Sequence, residues 1–270
     1  MTLHPRVSGG TIAWGEAPLN PTLRDLAAAG FTGCGATAPQ LAAAPSGAVA
    51  AVLADTGLRL RSVCVPAVYS LERPAGWGRE TERAGAALEL AASLGAGTAV
   101  ITTGPAGALE FEAASAACAA AVTPLREWAS RLGIRLALEP TNSLRDDLGF
   151  VYSLRDTLAV AAACGIGVCV DLLWCWREPE LAATLAAAGE RIELVQVSDC
   201  KVGMTSMPCR VVPGDGAIPL ERPLRWILEA GYAGGFELEL LGPAIDAEGP
   251  AAALQRGGAW LSTALTRLGA

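Results

Sequence analysis

Four side chains in the second half of the chain close short apolar runs. They are Glu139 in Leu-Ala-Leu-Glu-Pro, Asp171 in Val-Cys-Val-Asp, Gln196 in Leu-Val-Gln-Val-Ser-Asp and Glu239 in Phe-Glu-Leu-Glu-Leu. Successive members stand roughly one strand-plus-helix unit apart. If those runs are neighbouring parallel strands, three carboxylates and an amide oxygen converge on one rim. An all-oxygen donor set of that kind suits a hard divalent cation.

Convergence requires a repeating scaffold, and the hydropathy pattern supplies one. Eight β-like runs are expected at Val7–Trp14, Thr32–Ala36, Leu60–Pro66, Thr98–Thr102, Ile134–Glu139, Gly167–Asp171, Leu194–Ser198 and Phe236–Leu241. Between them lie Ala- and Leu-rich helical segments at Pro21–Ala29, Gln40–Asp55, Arg79–Leu94, Glu110–Leu132, Ser153–Ala163, Glu178–Gly189, Leu220–Ala230 and Ala247–Leu268. Asn20-Pro21 reads as a cap followed by proline in a first helical turn, and Gly30, Gly95, Gly133, Gly165 and Gly231 fall where helices should stop. Strict β–α alternation with strands apolar on both faces predicts a parallel sheet covered by helices. Eight units in 270 residues predict closure into a single (β/α)8 TIM barrel occupying residues 1–270 as one domain. An open doubly wound sheet is the alternative, but no Gly-x-Gly-x-x-Gly follows the first strand.

Hydrophobic residues make up 52% of the chain against 17% charged, enough for a large core. A net charge of −7 argues against nucleic acid as a partner, because phosphate tracking needs a basic face. The eight cysteines include no Cys-x-x-Cys pair and several sit in apolar runs, which reads as reduced core thiols in a cytoplasmic protein. The first residues lack a basic segment followed by an apolar one, and no run suggests a membrane span, so neither signal peptide nor membrane is expected. His4, the lone histidine, precedes the first strand and is expected to be inert.

Six segments in order resemble the xylose isomerase-like barrels of sugar phosphate isomerases and epimerases, a family related to hydroxypyruvate isomerase and endonuclease IV. They are Leu138-Glu139-Pro140-Thr141-Asn142, Asp147-Leu148-Gly149-Phe150, Cys169-Val170-Asp171, Val195-Gln196-Val197-Ser198-Asp199, Arg210 before Pro213-Gly214-Asp215-Gly216, and Gly231-Tyr232 through Glu239. The resemblance implies that Glu139, Asp171, Gln196 and Glu239 bind one divalent ion, Mn²⁺ or Mg²⁺. Many members carry histidine at the third position, whereas hydroxypyruvate isomerase-like members have glutamine, whose carbonyl oxygen favours harder metals over zinc. The family often places a substrate-contacting histidine three residues after the aspartate; Trp174 stands there instead. Its broad apolar face suggests a substrate with an apolar or aromatic portion.

A cation holding both oxygens of an α-hydroxycarbonyl acidifies the intervening C–H and stabilises an enediolate. Glu139 and Glu239 are the expected acid–base pair. Arg210, Trp174, Asn142 and Trp14 are the expected substrate contacts, and Asp199 is expected to orient its neighbours. Reprotonation gives an epimerase or isomerase of a polyhydroxy carbonyl compound. Loss of a β-group gives a lyase or dehydratase on a bulkier substrate, and a degenerate, non-catalytic barrel is a third reading. Endonuclease chemistry needs several histidines and is rejected. Duller roles compete: Asp171 as a helix cap, Gln196 as a core amide, Arg210 paired with Asp215, and the two tryptophans as packing. Cys175, Cys200 and Cys209 fall near the expected mouth, where packing is favoured over a thiolate role. Glu237 competes with Glu239 for the ligand role, from a deeper position on the same strand face, and is expected to partner some base. A small-molecule substrate and, by default, a homodimer complete the expectations.

Overall fold

The computed structural model describes residues 3–45, 47–66, 68–204 and 207–270. Eight parallel strands close into a ring: β1 (Val7–Gly10), β2 (Gly33–Thr37), β3 (Arg59–Cys64), β4 (Thr98–Ile101), β5 (Arg135–Leu138), β6 (Gly167–Asp171), β7 (Ile192–Val197) and, after a two-stranded hairpin of β8 (Asp199–Cys200) and β9 (Arg210–Val211), β10 (Phe236–Leu238). Around the ring the order is β1, β10, β7, β6, β5, β4, β3, β2 and back to β1. This is the TIM barrel expected from the alternation.

The connecting helices are α1 (Leu19–Ala28), α2 (Ala38–Ala43), α3 (Ala48–Thr56), α4 (Trp77–Ser93), α5 (Phe111–Leu132), α6 (Leu154–Cys164), α7 (Leu172–Cys175), α8 (Leu181–Ala188), α9 (Glu221–Glu229), α10 (Pro243–Glu248) and α11 (Pro250–Leu268). The inward stripe of α4 carries Thr81, Ala84, Leu88 and Ala91, three or four residues apart, so one face packs on the sheet. The five glycines expected to end helices all adopt positive φ, between 67° and 93°. Among the described residues no helix is long and apolar enough to cross a membrane.

Several boundaries differ from the expectations, and α7, α10 and the β8–β9 hairpin are elements that the hydropathy pattern does not announce. The first strand stops at Gly10, and Thr11–Trp14 forms a 3-10 turn. The predicted helix Gln40–Asp55 is two helices, α2 and α3, because Pro45 follows an extended Ala44. Asn20 does not cap α1: the helix begins at Leu19, two residues before the expected Pro21, with no side-chain cap. The boxed cap belongs to α2, where Thr37 Oγ1 accepts from Gln40 N and the Gln40 side chain returns to the Thr37 amide.

Alternation along the strands fills the barrel interior. Val100, Ala137, Cys169 and Leu194 form a separate buried cluster inside the ring. Two residues further along β5 and β6, the same parity delivers Glu139 and Asp171 to the mouth, and Gln196 follows Leu194 in the same way on β7. A Cβ at Gly35 would collide with the Glu237 carboxylate, so glycine there makes room for an acid.

Candidate metal and active site

Glu139, Asp171 and Glu239 each present a carboxylate oxygen within 4.8 Å of the others. Glu139 stands just past β5, its N–H donating to the Ile101 carbonyl at 3.0 Å, so the sheet ladder fixes its backbone. Asp171 ends β6 and is both mouth residue and helix cap, because its Oδ1 accepts from Leu173 N at 3.0 Å. Glu239 follows β10 and donates its N–H to the Val197 carbonyl at 3.2 Å. Gln196 lies level with Asp171 on one side and Glu237 on the other. Its Oε1 accepts from the Cys169 thiol at 3.3 Å.

Arg210 enters this group from β9. Its Nη2 donates to Asp171 Oδ2 at 2.7 Å, while Nη1 donates to Asp171 Oδ1 at 3.2 Å and Ser198 Oγ at 2.8 Å. Asp215, its alternative partner by sequence, pairs instead with Arg256, so the loop-pair reading is corrected. Burial works against the Arg210 charge, yet Asp171 and Glu239 outweigh it and hold the pKa above the ordinary value. The guanidinium carbon lies 5.6 Å from the Trp174 ring centroid, which places half-buried Trp174 against the site.

One carboxylate oxygen is left over. Glu239 Oε2 is buried and lacks a hydrogen-bond partner among the described residues. Arg210 Nη2 lies 3.3 Å away, close enough to attract it but without hydrogen-bond alignment. Glu239 also lines a slot of about 20 Å³, together with Gln196, Glu237 and Cys64 among others, room for about one water or ion. Three acids outnumber the one guanidinium, every donor is oxygen, and one oxygen is unsatisfied. That donor set fits a hard divalent cation.

Crowded buried acids resist ionisation. Burial first, then repulsion from Glu239 and Asp171, pushes the Glu139 carboxyl well above the carboxylate range. Burial likewise lifts Glu239 to about 7, although Arg210 pulls the other way. Glu237, too, rises to about 7 through burial, opposed by a hydrogen bond from Ser62 Oγ to its Oε2. Its partner is therefore a serine hydroxyl on β3, not a base. Burial, aided by the acids, also keeps the Cys64 and Cys169 thiols protonated.

Glu237 yields a stability prediction for metal-free protein. Its folded-state pKa of about 7 exceeds the ordinary 4.5, so the folded state holds the extra proton and stability falls as pH rises from about 4.5 to 7. Glu237→Gln keeps an acceptor for Ser62 and removes the penalty. Urea denaturation in chelator should show a gain of about 2–3 kcal/mol at pH 8 and almost none at pH 4.5. An equal gain at both pH values would refute the cause.

Half-buried Asn142 spends its amide on the loop, accepting from Leu144 N at 2.7 Å and facing Met207 Sδ at 3.7 Å. Trp14 packs against the core from the 3-10 turn and is not among the residues lining the slot. His4 is tied to the chain end, its Nε2 lying 3.0 Å from the Ala270 carbonyl oxygen. All eight cysteines are free. Asp199 accepts four backbone N–H groups, from Cys200, Gly214, Gly216 and Ile218, at 2.8–3.1 Å. It thereby shapes the loop behind Arg210. Asp199→Ala should cost about 2 kcal/mol, since part of that loop can rehydrate, and Asp199→Asn less; equal losses in urea denaturation would refute acceptor charge as the cause.

Ser198 and Ser62 were not singled out by sequence reasoning. Ser198 follows Gln196 by two residues, and Ser62 precedes Cys64 by two, so face parity was the available signal.

No curated protein matches this chain. Among solved structures, protein SMc04130 from Sinorhizobium meliloti 1021 is 24% identical, with a TM-score of 0.84 over 97% of this chain and 98% of that one. An L-ribulose 3-epimerase is 20% identical, with a TM-score of 0.80 over 98% and 96%. A Mycobacterium smegmatis xylose isomerase-like TIM barrel protein in complex with magnesium is 19% identical, with a TM-score of 0.74 over 98% of each chain. At such identities these likenesses establish the fold alone. Residues 23–264 match the family description itself, and the chain belongs to the xylose isomerase-like TIM barrel family.

Proposed function

We propose that this protein is a divalent-metal-dependent isomerase or epimerase of a small polyhydroxy carbonyl compound. The observation that carries the reading is the meeting of Glu139, Asp171 and Glu239 beside the orphaned Glu239 oxygen. Family membership, an epimerase among the structural neighbours and a magnesium-bound one are in keeping with it. Glu139, Asp171, Glu239 and the carbonyl oxygen of Gln196 would hold Mn²⁺ or Mg²⁺. When bound, the ion supplies Lewis-acid stabilisation to the oxygens of an α-hydroxycarbonyl.

The chain's own groups carry the proton. Glu139 and Glu239 leave strands that are separated in the ring by β6 and β7, so they approach a bound carbon from different directions. Glu139 takes the proton at its carboxylate and Glu239 returns one. Burial raises both pKa values; Glu239, lifted to about 7, is poised near the working pH, where a group is an efficient proton carrier. Arg210 holds Asp171 in place and covers the site together with Trp174. A lyase is the second reading, motivated by Trp174 standing three residues after Asp171, where the family often has histidine.

The test is titration with Mn²⁺ followed by incubation with L-ribulose or D-fructose in D₂O. Deuterium should enter the carbon beside the carbonyl with no group lost. Release of water or an aglycone would transfer the assignment to the lyase, and failure to bind Mn²⁺ would overturn the metal-dependent reading.

A further inference from the structure

A second, much larger cavity opens beside the acid slot. It measures about 950 Å³ and is built by the 3-10 turn after β1, the start of α1, and α2 with its following loop. Ile12, Thr37 and Cys64 line both it and the slot that contains Gln196, Glu237 and Glu239. The two spaces are therefore adjacent, and a molecule seated beside Glu239 lies next to the larger chamber. The walls of that chamber are mostly apolar, with Pro18, Leu19, Pro39, Ala44 and Pro66 prominent. Among the described residues lining it, Glu16 alone carries a charge. Neither chamber is lined by a lysine or an arginine.

These features select a ligand class. A phosphate is held best where cationic donors join a helix N-terminus; here the uncapped first turn of α1 loses one donor to Pro21 and has Glu16 and no cation beside it, and the one arginine near the acids is committed to Asp171 and Ser198. A compact free sugar would leave the apolar chamber full of water. Apolar surface removed from water, by contrast, stabilises a complex roughly in proportion to its area. We infer that the substrate is an unphosphorylated, uncharged polyhydroxy carbonyl compound bearing an alkyl or aryl substituent. The sugar-like head sits at the acids and the substituent lies in the cleft between the 3-10 turn and α2. The inference rests on the proposed function for the head group, while the cleft itself is tested independently.

The probes are 6-O-methyl-, 6-O-butyl- and 6-O-hexyl-D-fructose, with D-fructose 6-phosphate as the charged comparison, each titrated calorimetrically into the full chain with and without Mn²⁺. Affinity should rise by about threefold to fourfold per methylene, and the hexyl ether should bind better than the phosphate ester. Ala44→Asp, and separately the more exposed Ala43→Glu, should flatten the chain-length dependence while leaving Mn²⁺ affinity unchanged. A flat series on the parent protein, tighter binding of the phosphate ester, or a chain-length dependence untouched by both variants would overturn the inference. If Mn²⁺ fails to bind while the series keeps its slope, the cleft stands and only the metal-dependent reading falls.

Discussion

Replacing Asp171 by alanine should destabilise the metal-free protein by roughly 3–5 kcal/mol, the cost of stranding a buried charge. Arg210 and Asp171 side chains are 5% and 0% exposed, and their two-pronged hydrogen bonding leaves the guanidinium with few other acceptors. Once the aspartate is gone, Arg210 retains Ser198 and the misaligned Glu239 oxygen, which keeps the loss within that range. The cap on Leu173 disappears as well. The control is Asp215→Ala, which removes a two-pronged pair with Arg256, both contacts at 2.7 Å, whose side chains are 41% and 45% exposed. Solvent screening should hold that loss to about 1 kcal/mol or less. Urea midpoints at constant m-value measure both. Equal losses would mean that burial of the Arg210 pair contributes nothing special.

That contrast also marks where sequence reading stops. Glu139, Asp171, Gln196 and Glu239 were identifiable because strand ends in a β–α repeat are announced by local apolar runs, and face parity does the rest. The Arg210 partner was not. Asp215 lies five residues away in the chain and Asp171 much farther, yet antiparallel pairing of Cys200 with Arg210 turns the side chain inwards. The serine beside Glu237 belongs to β3, brought near only by closure of the ring. The break between α2 and α3 was signalled by Pro45, but a dense alanine run concealed it. The apolar chamber left no mark in any single segment. Its walls come from separate βα connections, each of which is an ordinary loop taken alone.

The two acids of the proposed proton relay should fail in different ways, and this makes the mechanism testable. Glu139→Gln and Glu239→Gln both keep an oxygen donor for a cation but cannot carry a proton. With saturating Mn²⁺, each should lower turnover by roughly 10²- to 10⁴-fold with little change in KM, because the loss lies in the transition state. Isotope exchange separates them. If Glu139 takes the proton, Glu239→Gln still exchanges that hydrogen with D₂O while forming almost no product. Glu139→Gln loses exchange and product together, and in the reverse direction the two variants trade behaviours. Glu237→Gln is the control, since Glu237 faces Ser62 rather than the Glu139–Asp171–Glu239 group, and it should keep most of the turnover. Were Glu237→Gln the damaging change, with Glu239→Gln near normal, the proton would be passing through the deeper acid and the relay drawn here would be wrong.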